Sequence, residues 1–126
     1  AWQPRHWSCP VSDEKNEGET LEDSLRQAHG EVFKATFVDV GGVKVDVFYR
    51  CPTRQESERF KYKAFDDKNP KKQADGADEL GMAVVVHPDR KTFAALCERR
   101  PMIAGLIAGD AAQIAAGKES ELGKRV

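Results

Sequence analysis

Residues 32–50 read "VFKATFVDVGGVKVDVFYR". Two β-branched and aromatic runs meet at Gly41-Gly42, and beyond that corner Val43, Val45, Val47 and Tyr49 alternate with Lys44, Asp46 and Phe48. Period-two alternation around a Gly-Gly corner is the pattern of a β-hairpin. One of its faces is apolar and has to be covered. A lone two-stranded hairpin is marginal in water, so helices from the rest of the chain must lie on it, or further strands must join from another copy. The fold expected is α+β, with one antiparallel β-hairpin packed with about four to five helices in a single domain.

The segments on either side supply those helices. In "CPTRQESERF", residues 51–60, Pro52 ends the ladder, and Thr53 with Glu56 forms the capping box of a helix running to about Phe65. Phe60 and Ala64 fall on one side of it, with Arg54, Glu58 and Lys61 among its outward charges. "DDKNPKKQADG", residues 66–76, reads as an exposed loop, and "ADELGMAVVV", residues 77–86, as a short apolar helix with its last turn open to a strand. "HPDRKTFAAL", residues 87–96, repeats the earlier grammar: Pro88 stops the preceding segment, and Asp89 caps the next helix. Upstream, "TLEDSLRQAHG" at 20–30 reads as a helix capped by Thr20 and stopped by Gly30. Residues 1–19 have no sustained period and read as a flexible N-terminal arm, whose Trp2 and Trp7 would dock on the protein's own body or on a partner. The domain is expected over 20–117, with 118–126 as a polar C-terminal tail.

The closing apolar segment raises the question of what covers it. "MIAGLIAGDAAQIAAG", residues 102–117, is a helix started at Pro101 with only two polar side chains, Asp110 and Gln113. A surface helix of a small domain is more polar than this. Its Gly and Ala residues let another helix approach closely, and Ile103, Leu106, Ile107 and Ile114 offer knobs. The segment is either the central core helix or part core and part interface, and those four residues are the candidate partner interface. Its GxxxG spacing resembles that of membrane helix dimers, but the run is too short to span a bilayer, so no membrane is expected.

Charge and chemistry narrow the function classes. The 20 basic and 21 acidic side chains give a net charge of −1, so no nucleic-acid surface is expected. Residues 13–31 lean acidic and 54–72 lean basic, which reads as solvated faces before it reads as docking patches. Three cysteines, Cys9, Cys51 and Cys97, are an odd number, no secretory leader opens the chain, and a cytoplasmic setting is expected. His6 and Cys9 have a metal-like spacing without the further ligands a structural zinc needs. Cys97 has no paired His and acid to activate it, and no phosphate loop, nucleophile elbow or HExxH appears. No catalytic residue, cofactor or metal is therefore expected. His87-Pro88-Asp89 is the triplet of J-domain co-chaperones, but no Lys or Arg lies between Ala77 and Val86 to supply that family's basic helix face. A stop, a corner and a cap account for it.

Taken in order, the hairpin running into "CPTRQESERF", the "VVVHPDRKTFAALCERRPMIAG" stretch at 84–105 and the Ala/Gly/Ile-rich helix ending near Gly117 resemble the small tail assembly chaperones of tailed phages and prophages. In that family a strand leads into a Pro-Thr-Arg helix start, and a Pro-Asp-Arg helix start precedes a short helix, a Pro and a terminal helix. The resemblance covers residues 32–117. It implies a non-enzymatic protein in the bacterial host cytoplasm that binds the long, helical, aggregation-prone tape measure protein before the tail tube is built, and that self-associates along it. The alternative is a small virion structural protein, such as a tail completion or connector component.

Overall fold

The computed structural model describes residues 17–66 and 68–126. In chain order these form α1 (Glu17–His29), β1 (Val32–Val38), β2 (Lys44–Arg50), α2 (Arg54–Ala64), α3 (Pro70–Val84), β3 (Val85–His87), α4 (Arg90–Arg99), α5 (Ile103–Ala115) and β4 (Lys124–Arg125). The fold is α+β, with five α-helices among the described residues and one four-stranded antiparallel sheet of order β3-β2-β1-β4. Residues 31–126 form one compact unit holding the whole sheet and α2 to α5, whereas α1 belongs to a unit ending at Gly30. That helix starts at Glu17, ahead of the expected cap Thr20, and stops at Gly30, whose φ is +77°. The expected arm falls outside the described residues except for 17–19, which are helical, and Trp2, Trp7, His6 and Cys9 lie outside them too.

The hairpin forms in full register, from Val32 opposite Arg50 to Val38 opposite Lys44. Its corner needs two left-handed residues in succession, φ +83° and +82°, and Gly41 and Gly42 adopt these without a Cβ penalty. Asp39 sets the corner, its carboxylate accepting from the Val40 amide at 2.7 Å while its own amide donates to the Val43 carbonyl at 2.6 Å. Alternation turns Phe33, Ala35 and Phe37, with Val45, Val47 and Tyr49 opposite them, toward the core. The Phe33 and Tyr49 rings stack at 5.9 Å. Short outer strands cover the base of the hairpin: β3 pairs with Phe48 and Tyr49, and β4 with Phe33 and Lys34. The polar stretch 118–126 thus supplies a strand where its composition suggested a tail.

Each helix is placed by a specific start. Thr53 accepts from the Glu56 amide and Glu56 accepts from the Thr53 amide at 2.9 Å, a reciprocal capping box. The same Glu56 holds Arg50 bidentately at 2.7 and 2.8 Å, and Arg50 also donates to the Ala83 carbonyl, which ties β2, α2 and the end of α3 together. Asp89 accepts from the amide and hydroxyl of Thr92 and so caps α4. These hydrogen bonds hold the Asp89 carboxyl below its ordinary range.

The segment 66–76 departs from the loop expected there, because α3 begins inside it. Asn69 caps the helix by accepting from the Lys72 amide, Pro70 fills a position that needs no amide, and Lys71 pairs with Asp75 one turn on. Gly76, Leu80, Gly81 and Val84 form its buried stripe, which starts among charged residues and is masked by them. Its two glycines are contact residues rather than breaks. A Cβ on Gly76 would lie 2.7 Å from Lys63 Cβ on α2, and one on Gly81 would lie 2.2 Å from the Ala104 carbonyl oxygen on α5.

The core is a layer of α3, α4 and α5 side chains on the hairpin's inner face, with Tyr49, Phe93, Leu96, Ile107, Val47 and Val84 fully enclosed. The α3–α5 contact is the tightest backbone approach among the described glycines. Gly81→Ala is expected to cost about 2 kcal/mol by overpacking, seen as a lower urea midpoint at unchanged slope. Gly105→Ala, whose added methyl meets nothing, should stabilise α5 by up to about 1 kcal/mol.

Candidate functional site

Helix α5 divides the molecule's chemistry between its two faces. Ile103, Ala104, Ile107, Ala108, Ala111 and Ile114 all point into the chain's own core. Ile103, Ile107 and Ile114 are therefore corrected as interface residues: at 5%, 0% and 8% exposure they are already spent on the fold. Leu106 differs at 53% exposure, and Met102 beside it is 74% exposed. Both faces of α5 are apolar, so periodicity could not say which was inward. The core selects the face that meets α3 and the sheet, and leaves Met102, Leu106, Gly109, Gln113 and Ala116 on the other.

The one charged side chain among the buried described residues, Asp110, is fully engaged. Its Oδ2 accepts from the Tyr49 hydroxyl at 2.5 Å and from Ser120 Oγ at 2.6 Å, while Oδ1 accepts from the Glu121 and Leu122 amides at 2.9 and 3.2 Å. Burial pushes the carboxyl pKa up, but these donors outweigh it and hold it below its ordinary 3.8. Burial, reinforced by the neighbouring carboxylate, pushes the Tyr49 phenol upward, so it stays a donor. Gly123 passes so close that a Cβ there would sit 2.6 Å from the Tyr49 hydroxyl oxygen. Saturated in this way, the carboxylate is a structural latch between the sheet, α5 and the segment leading to β4. A lone acid in an apolar helix is the sequence signal for such a latch, although nothing local names its partners, 61 and 10 residues away.

The other chemistry-bearing residues are dispersed. Cys51 and Cys97 are half-buried free thiols whose pKa values burial pushes up, away from thiolate character. His87 ends β3 and packs edge-on against Phe48 at 5.7 Å, so the His-Pro-Asp triplet joins a strand to a helix. No group of three or more His, Cys, Asp or Glu side chains among the described residues is arranged to hold a metal ion. No described helix is long and apolar enough to cross a membrane.

The remaining apolar surface gathers at two places. Near the hairpin corner, Val38, Val40 and Val43 are more than half exposed, and Arg99 clamps the corner by a bidentate pair with Asp39. That guanidinium holds the Asp39 carboxyl below its ordinary range. At the end of α2, Tyr62 is 72% exposed and the C-cap residue Phe65 74%. Phe65 borders a groove of about 300 Å³ floored by Pro52, Phe60, Leu80, Ala112 and Ala115, with Lys61 on its rim. Lys72 lies 4.1 Å above the Tyr62 ring, so the aromatic pair sits in the basic stretch of the sequence.

Comparison of the chain with protein-family models, curated proteins and solved structures found no match. The Asp110 latch makes its own prediction. Because the folded pKa is depressed, the stability it contributes is complete above the unfolded value near 3.8 and is lost as pH falls through the folded value. Asp110→Asn should cost about 2 kcal/mol at pH 7, and the gap to the native protein should close below about pH 4 in denaturant titrations across pH.

Proposed function

We propose that this protein is a non-enzymatic tail assembly chaperone of a phage or prophage that binds the tape measure protein in the bacterial cytoplasm during tail morphogenesis. The observation that carries this reading is the exposed Phe65 on an apolar groove, with a second exposed aromatic, Tyr62, three residues before it. Tyr62 is in the last turn of α2 and Phe65 is the residue that caps it. Groups of this size left in water, next to a concavity with a basic rim, suit the apolar stripe of an amphipathic helix with acidic flanks. The resemblance over residues 32–117 supplies the identity of that helix.

Such a task needs no chemistry. An unassembled tape measure protein exposes repeated apolar stripes, and a partner that covers each stripe reversibly prevents aggregation and can be shed as the tube closes. Weak docking suffices, because many copies on one client act with avidity.

The test is co-expression with the long helical protein of the same tail gene cluster, followed by co-purification. Phe65→Asp combined with Tyr62→Ser should abolish co-purification while changing folding stability by no more than about 0.5 kcal/mol per site, since both side chains are on the surface. A folded double variant that still holds the client soluble would overturn the docking site. Finding the protein in finished particles would overturn the chaperone role in favour of a structural one.

A further inference from the structure

We infer that the outer edge of β1 takes up an extended segment of a partner protein, which joins the sheet in line with β4 and lays apolar side chains against α5. This site is separate from the groove at Phe65 and independent of which client that groove holds. Helix α5 runs alongside β1 in the opposite sense: Ile114 shares a cavity with Phe33, and Leu106 shares one with Phe37 and Val38. At the Phe33 end the protein fills the space between strand and helix with its own chain. Asp110 holds residues 120–122 there, and β4 pairs with Phe33 and Lys34. Beyond Lys34 that pairing stops, and Ala35 to Val38 have no strand on this side among the described residues.

Backbone alternation says which groups are left open. The Val32 carbonyl accepts from the Val126 amide, and the Val38 carbonyl accepts from Arg100 Nε at 3.1 Å, so the even-numbered residues of β1 face the outer edge. The amide and carbonyl of Thr36 and the amide of Val38 therefore point into the row that β4 begins. Directly beside them lies a trough of about 560 Å³ lined by Phe37, Val38, Met102, Ile103 and Leu106, with Met102 and Leu106 more than half exposed. A strand added at this edge turns every second side chain into that trough.

This combination selects an extended occupant over a helical one. A helix would cover the trough and leave the edge amides and carbonyl of β1 without partners, whereas a strand satisfies both. Charge adds a further requirement. Arg99 is spent on both oxygens of Asp39, and no described carboxylate lies within ion-pair distance of Arg100, whose guanidinium stands at the same edge. The segment that fits alternates bulky apolar residues with others and carries an acid where it meets Arg100.

Short peptides selected on the full chain from a random display library should converge on alternating apolar residues with an acidic neighbour. Added to the isotope-labelled protein, the synthetic form of such a peptide should shift the amide resonances of Thr36 and Val38 and the methyl resonances of Leu106. Methylating the peptide's backbone nitrogens at every second position should weaken binding at least about tenfold, and at the intervening positions hardly at all, because only one set donates to β1. Leu106→Arg should abolish binding with the urea midpoint unchanged, and Arg100→Glu should replace the acidic preference with a basic one. Peptides that tolerate methylation at all positions would overturn the extended pairing. Resonance shifts confined to Tyr62 and Phe65, or a library that yields no binder shifting Thr36 and Val38, would overturn this edge as a site and leave the groove at Phe65 standing. A native chain that self-associates through this edge and excludes the peptides would give the edge to a second copy and overturn the inference as well.

Discussion

Covering the inner face of the β1–β2 hairpin is the constraint that the remaining elements serve. Two seven-residue strands place Phe33, Ala35, Phe37, Val45, Val47 and Tyr49 on one side, and water on that side would unmake the hairpin. Three helices meet the requirement, and they do so at short range because glycine and alanine sit where α3 crosses α5. With the helices so placed, the hairpin needs only short outer strands at its base, and its corner is held from outside by Arg99.

A small unit that uses one face of an apolar helix for its core leaves the other face unresolved. The inner side of α5 is committed to Phe93, Leu96 and the sheet, while the outer side keeps Met102 and Leu106 in water. Tyr62 near the end of α2 and Phe65 just past it are exposed as well, and the groove at Phe65 is lined in part by Ala112, Ala115 and Ala116 at the C-terminal end of α5.

Much of the fold could be read from the residues because its signals are local. The hairpin, the Thr53–Glu56 box, the Asp89 cap and the Gly30 stop each depend on residues within a few positions of one another. What escaped reading depends on distant contacts. The start of α3 hides among lysines and aspartates, and Gly76 resembles a break until Lys63 is seen against it. Strand β4 is two polar residues whose pairing is set by a carboxylate on another helix. For the candidate surfaces the limit was different: the composition of α5 announced that something must cover it, but Ile103, Ile107 and Ile114 could be sorted from Leu106 only once the sheet had chosen its side.

The latch at Asp110 also decides how the polypeptide behaves beyond Gly117. Were residues 118–126 clipped away, the carboxylate would lose Ser120 and two backbone amides together and keep only the Tyr49 phenol, so the tie between the sheet, α5 and the chain end would be gone. Hydrophilic in composition and without a buried residue of its own, the segment is nevertheless fastened to the core through that one carboxylate.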